Sequence, residues 1–231
     1  MPSTPIPPPP TSTPTVPFPT LMPTPTLTPA PTATPPPDLF AALGETLYEE
    51  QFLPGADWDI GEDASGGTSL TESGLVIAVR EPYAVRFARS PAPDLTDFLL
   101  QVSFRVDICS GADSFGVAFR LTPNGDHYRF TLTCEGHAFF VRSRGGSLVM
   151  LTTSTQTNSA MLGAPSSNHL SILALDDTFH FFINDLEVFS QRDTGLGSGG
   201  LGVFVQAGKG GQTTVTFQHM LAFEVIPNSV P

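Results

Sequence analysis

Three arginines carry the chemistry that this sequence offers most plainly. Arg120, Arg129 and Arg142 lie on three successive segments of alternating polarity. Closing each hairpin at its turn residues sets Arg120 opposite Arg129 or His127, and Arg129 opposite Arg142. Gln101 falls next to Arg120, with Arg105 in the same outward set, Thr131 two residues past Arg129, and Phe140 at the flank. Like charges placed directly opposite one another on a sheet repel, so stability alone would not select such a row. A guanidinium is a planar fork that suits carboxylate and sulfate. Beside the arginines, Gly116, Ala118, Thr131 and Thr133 are small and leave a shallow depression. The expectation is an arginine-lined groove for an acidic or hydroxyl-rich glycan. The alternative is that acidic loops neutralise the arginines or another strand covers them, and the acidic excess of the chain favours it.

Other chemistry is thinly represented. His127, His137, His169, His180 and His219 include no pair at short metal-ligand spacing, and neither cysteine sits in a Cys-x-x-Cys motif, so no cofactor is expected. Calcium through Asp113, Asp126 or Asp177 stays open, although no ligand series marks a site. Gly195-Leu196-Gly197-Ser198-Gly199 has its serine in the wrong place for a nucleophile elbow. The glycine-rich run Thr194 to Gly200 lacks the Gly-Lys-Ser/Thr ending of a phosphate loop and reads as an inter-strand connection. Glu49-Glu50, Asp57, Asp59, Glu62-Asp63 and Asp176-Asp177 fall in turns, where a solvated surface is the default.

The elements that must position these residues are strands. From Phe98 to Val106 the apolar side chains fall at every second position, and the pattern recurs at Phe115 to Leu121, at Tyr128 to Cys134 and around Phe139 and Val141. The separators Cys109 to Ala112, Pro123 to Asp126 and Glu135-Gly136 are turn formers. They predict a four-stranded meander in one antiparallel sheet, one face in the core and one in water. Further strands are expected at Leu47 to Leu53, Gly74 to Arg80, Tyr83 to Arg89, Leu148 to Leu151, His169 to Leu175, Thr178 to Asn184, Leu186 to Ser190, Val203 to Gln206, Thr213 to Phe217 and Leu221 to Val225. Phe40 to Thr46 is expected to make one helical turn. Nothing else has a helical period, so residues 38–231 are predicted to be one all-β domain, about a dozen strands in two packed sheets.

In this arrangement Cys109 and Cys134 lie at the same edge of one sheet. Neighbouring strands are roughly 4.8 Å apart, which leaves the two cysteines about two spacings from each other. A disulfide therefore requires the Cys109 to Ala112 loop to fold across. Both outcomes stay open, a disulfide or two small buried hydrophobes.

Residues 1–37 are almost wholly Pro, Thr, Ser and small residues, with no charge. Such a segment cannot bury enough surface to offset its ordering entropy, and its prolines hold it near polyproline II. It reads as a stalk of the O-glycosylated kind or as an interdomain linker. All of the formal net charge of −12 lies beyond it, which argues against non-specific nucleic-acid binding. No run of 18 or more apolar residues spans a membrane, and no signal peptide is visible.

Phe52 then Trp58, Gly74-Leu75, Phe115-Gly116-Val117-Ala118-Phe119-Arg120, His127-Tyr128-Arg129-Phe130, Asn168 to Asn184, Gly200-Leu201-Gly202-Val203 and the closing Thr216-Phe217 to Val225 resemble the concanavalin A-like lectin/glucanase superfamily. The chain is similar in particular to the laminin-G-like and 3-keto-disaccharide hydrolase-like jelly-roll domains of bacterial surface proteins, over Thr46 to Ile226. Asn184-Asp185 departs from the Asn-Gly usual there. The resemblance implies a jelly-roll sandwich and an extracellular carbohydrate-binding or adhesive module whose partner is a glycan or cell-surface polysaccharide. It leaves two alternatives: glycoside cleavage of the 3-keto-disaccharide type, or a structural subunit of a sheath or filament, with self-association. The Glu-x-Asp-x-x-Glu set of laminarinase-type glucanases is absent, so no catalytic residue is assigned.

Overall fold

The computed structural model describes residues 1–3 and 43–226. The expected stalk, apart from its first three residues, lies outside them, as does the start of the expected turn at Phe40. Residues 43–46 belong to the first strand instead. Among the described residues sixteen strands and no helix are present, against the dozen strands expected. In chain order they are β1 (Leu43–Glu50), β2 (Gly61–Asp63), β3 (Gly66–Thr71), β4 (Gly74–Val79), β5 (Val85–Arg89), β6 (Phe98–Ile108), β7 (Ser114–Leu121) and β8 (His127–Thr133). There follow β9 (His137–Arg144), β10 (Ser147–Met150), β11 (Thr155–Gln156), β12 (Ser166–Leu175), β13 (Thr178–Ile183), β14 (Leu186–Arg192), β15 (Gly200–Gln206) and β16 (Thr213–Val225).

They form two antiparallel sheets. The nine-stranded sheet runs β14-β13-β12-β6-β16-β4-β3-β2, with β1 beside β16, and the seven-stranded sheet runs β10-β9-β8-β7-β15-β5, with β11 beside β9. Period-2 alternation dictates the packing between them. Phe98, Leu100, Val102, Phe104 and Val106 of β6 face Phe115, Val117 and Phe119 of β7 and Tyr128, Phe130 and Leu132 of β8 in one buried core. Phe104 and Phe115 meet across the sheets at 5.3 Å between ring centroids, and Phe140 and Phe181 at 4.6 Å. Such aromatic pairs add about 0.5 to 1.5 kcal/mol beyond area burial, which accounts for the abundance of Phe.

The four-stranded meander is corrected to three strands. β6 pairs with β12 and β16 in the other sheet, so only β7, β8 and β9 are consecutive neighbours. The segment between β6 and β7 is an arch from sheet to sheet. It is pinned by buried Asp113, whose carboxylate accepts the Ser110 N–H at 2.8 Å and the Gly208 N–H at 2.6 Å. Turn-forming residues permit a hairpin and an arch equally, so composition did not separate them. The arch also brings Cys109 and Cys134 together. They follow strands of opposite sheets, with Cα atoms 5.9 Å apart, and are joined by a disulfide.

The β8–β9 hairpin differs by one residue from the expected pairing. Its loop is Cys134-Glu135-Gly136, closed by the Gly136 N–H on the Thr133 carbonyl at 3.0 Å, with Gly136 at φ 84°. A three-residue loop ending in a left-handed glycine is a common hairpin closure. Arg129 therefore stands opposite Val141, Thr131 opposite Phe139, and Arg142 opposite Tyr128. A one-residue slip moves every side chain of a strand to the other face.

Candidate functional site

On β8 the inward positions are Tyr128, Phe130 and Leu132, which leaves His127, Arg129 and Thr131 on the outer face of the seven-stranded sheet. Next to Arg129 and Thr131 on β7 are Ala118 and Gly116, then Gly202 and Phe204 on β15, then Phe87 on β5. With nothing larger than a methyl group at Ala118 and Gly202, the long Arg129 side chain lies across β7 and β15. Its guanidinium carbon sits 5.2 Å from the Phe204 ring centroid and 4.6 Å from that of Phe87. Cation–π contacts of this kind contribute about 0.5 to 1 kcal/mol at exposed sites and more when desolvated.

Among the described residues Arg129 has no counter-ion: no carboxylate oxygen lies within 4.0 Å of its guanidinium. Its Nε–H donates to His127 Nε2 at 2.8 Å. Burial pushes its pKa down to about 10. Beside it opens a cleft of roughly 180 Å³ whose lining includes Ser114, Thr131 and Gln206, with Phe139, Val141, Leu148 and Met150 as apolar wall and no acidic residue. The arrangement presents an unpaired cation, hydroxyl and amide groups, and apolar surface, which together suit a polar ligand carrying an anionic group and C–H faces.

The other expected site residues are elsewhere. Arg120 is 1% exposed. A bulge on β7, where Gly202 pairs with Ala118 but Gly200 with Leu121, together with φ 49° at Arg120, turns its side chain inward. Its guanidinium donates to the carbonyls of Leu196 at 2.7 Å, Thr96 at 2.8 Å and Asp176 at 2.6 Å and lies over Phe179, so it fastens three loops to the core. Arg142 is on the inward side of β9 at the rim, where one guanidinium nitrogen contacts both Asp193 carboxylate oxygens at 2.8 and 2.6 Å. Tyr128 O–H donates to the same carboxylate and accepts the Leu196 N–H at 3.0 Å. Burial, then the bond to Asp193, pushes the Tyr128 hydroxyl up to about 12. For Asp193, burial works upward but is outweighed by hydrogen bonds from Tyr128, Gly195 and Arg142, and its pKa is lowered.

Phe140 is a core residue, and Phe139 takes the place expected for it at the cleft. Gln101 and Arg105 belong to the nine-stranded sheet. Arg105 pairs with Asp107 at 2.6 Å, and Gln101 lines a trough of roughly 310 Å³ with Ser103, His169, Asp185, His219 and Leu221. There the histidines are partnered, His169 by Asp185 at 2.8 Å and His219 by Glu49 at 3.3 Å. The supposed arginine row is thus one arginine. The outer positions of Phe87 and Phe204, missed from sequence, followed from alternation along β5 and β15, but which strands flank β7 did not. No cluster of three or more His, Cys, Asp or Glu side chains placed to hold a metal ion is found among the described residues, nor any helix long and apolar enough to cross a membrane.

No protein-family model matches the sequence, and no curated protein sequence matches it. Solved structures do match the fold. The carbohydrate-binding module CBM66 from Bacillus subtilis is similar at 19% identity with a TM-score of 0.57, over 71% of this chain and 92% of that one. A Bacillus subtilis protein of unknown function with a galectin-like fold is similar at 15% identity and a TM-score of 0.58, over 80% and 98%. The Bacillus licheniformis beta-glucanase is similar at 12% identity and 0.57, over 79% and 99%. At these identities the likeness is one of fold: the described strands form a concanavalin A-like jelly-roll sandwich.

Proposed function

We propose that this chain is an extracellular carbohydrate-binding or adhesive module that takes an anionic glycan on the outer face of its seven-stranded sheet. The observation that carries the reading is Arg129, half-buried on two aromatic rings with no carboxylate partner among the described residues. Desolvating a cation without a counter-ion costs stability. A ligand carboxylate or sulfate recovers that cost through charge-assisted hydrogen bonds. The neighbouring hydroxyl and amide groups of Ser114, Thr131 and Gln206 suit sugar hydroxyls, and Phe139 and Met150 suit a ring face. Residues 1–37 serve as the stalk that displays residues 38–231 at the cell surface. A carbohydrate-binding module among the similar folds supports the ligand class.

Glycoside cleavage is the weaker reading, because most glycosidases use a pair of carboxyl groups flanking the bond and the cleft lining contains none. Self-association as a structural subunit draws on edge strand β10, where Leu148, Val149 and Met150 are exposed. A glycan array of acidic and neutral oligosaccharides, read beside particle mass in solution, tests these together. Selective capture of acidic glycans by a monomer is expected. Assembly without glycan capture would overturn the binding reading.

A further inference from the structure

Resting on that reading, the geometry points to His127 as the positioning residue of the anion site. It holds the Arg129 Nε–H, leaving the Nη1/Nη2 edge as the donor pair for a ligand carboxylate or sulfate. His127 Nδ1 is 2.7 Å from the Gly125 carbonyl oxygen, which only accepts, so Nδ1 carries the hydrogen. Nε2 is then the bare nitrogen, and it accepts from Arg129 Nε–H at 2.8 Å. The imidazole is 6% exposed and meets Phe87 edge-on at 5.1 Å, the ring that also supports the guanidinium. His127 and Arg129 are thus fixed against one wall by one tautomer. Among the described residues neither Arg129 Nη atom has a hydrogen-bond partner within the protein.

The same geometry makes the device sensitive to acid. A proton on Nε2 sets N–H against N–H and removes the acceptor that orients Arg129. Among the described residues the charged groups facing His127 are Arg129 on its own strand and Asp126 in the preceding loop; from β5 it meets Phe87, and on β9 the register partner of His127 is Ser143. Burial foremost, then the Arg129 charge, lowers its pKa below the usual value, against the Gly125 carbonyl and Asp126. The imidazole that accepts from Arg129 Nε–H is the neutral form, and anion affinity is lost as pH falls through its lowered pKa.

The experiment uses the full chain, labelled with nitrogen-15. A scalar coupling between Arg129 Nε and His127 Nε2 across the hydrogen bond, with the Nδ1–H tautomer pattern, is expected at pH 7 and should vanish on acidification. In His127→Phe, hydrogen exchange at Arg129 Nε–H should accelerate about tenfold, the scale of one lost hydrogen bond. His127→Gln supplies an acceptor that does not titrate, so it should restore protection and abolish the acid response. Absence of the coupling, or unchanged exchange in a folded Phe variant, overturns the inference. Titration with trigalacturonic acid adds the functional arm: the Phe variant should bind about tenfold more weakly and the Gln variant like the unaltered protein. If the unaltered protein shows the coupling yet ignores acidic oligosaccharides, the proposed function fails and the positioning role stands.

Discussion

At the scale of single residues, the arginines divide by what they face. Arg120, itself buried, meets three backbone carbonyls, so replacing it with Met removes the donors of all three. Hydrogen bonds to a charged group contribute about 1.5 to 3 kcal/mol each, and denaturant melts of Arg120→Met should show a loss of about 3 kcal/mol or more. A loss under 1 kcal/mol would mean that water replaces the guanidinium. The Tyr128–Asp193–Arg142 cluster gives stability a dependence at both ends of the pH scale. Asp193 has a depressed pKa, so its contribution is present above about pH 4, the unfolded value, and is lost as pH falls through the folded one. Tyr128 is raised to about 12, so its contribution is present below about pH 10 and fades as pH rises between the two. Melting temperature followed against pH should drop in both windows. The alkaline drop should shrink in Tyr128→Phe, and an unchanged alkaline limb would remove the hydroxyl from the account.

At the scale of elements, the disulfide is the sharpest test of the arch between β6 and β7. Cys109 and Cys134 are 25 residues apart and join the two sheets, and closing a loop of that size stabilises by about 3.5 kcal/mol in the chain-entropy description. Reduction, or Cys134→Ser, should lower the denaturant midpoint accordingly without changing the strand content seen by circular dichroism. Strands were legible because alternation is local: the inward apolar positions of β6, β7 and β8 were readable from residue types as far as Phe119 on β7, whereas on β9, where Phe139, Phe140 and Val141 are adjacent, the parity was not. Pairing was not, because Cys109-Ser110-Gly111-Ala112 looks alike as a hairpin and as an arch. One residue in the β8–β9 loop then decided which side of β9 faces outward. Phe140 and Arg142 changed sides with Phe139 and Val141, while Arg129, His127 and Thr131 kept theirs because β8 parity is set by Tyr128 and Phe130. Arg120 was misplaced for a different reason, a bulge that no periodicity announces.

At the scale of the whole molecule, the two outer sheet faces differ in electrostatics although the chain is strongly acidic. The trough of the nine-stranded sheet has its histidines matched to carboxylates, whereas the seven-stranded face has an unmatched cation and a cleft free of acid. Proteolytic removal of residues 1–37 should leave the melting temperature of the remainder unchanged, as a separate stalk requires; a large drop would mean that the segment docks on the domain. The central claim is that Arg129 is held for a ligand rather than for the fold, and Arg129→Ala separates the two in one protein. Its removal forfeits ring contacts and one hydrogen bond but also relieves the desolvation of an uncompensated cation, so stability should change by no more than about 1 kcal/mol. Affinity for an acidic oligosaccharide should fall by about 1.5 to 3 kcal/mol, the scale of charge-assisted hydrogen bonds. A thermal melt and a calorimetric titration of this variant are therefore predicted to show a near-unchanged melting temperature and weakened binding. Retained affinity with a lowered melting temperature would contradict the account.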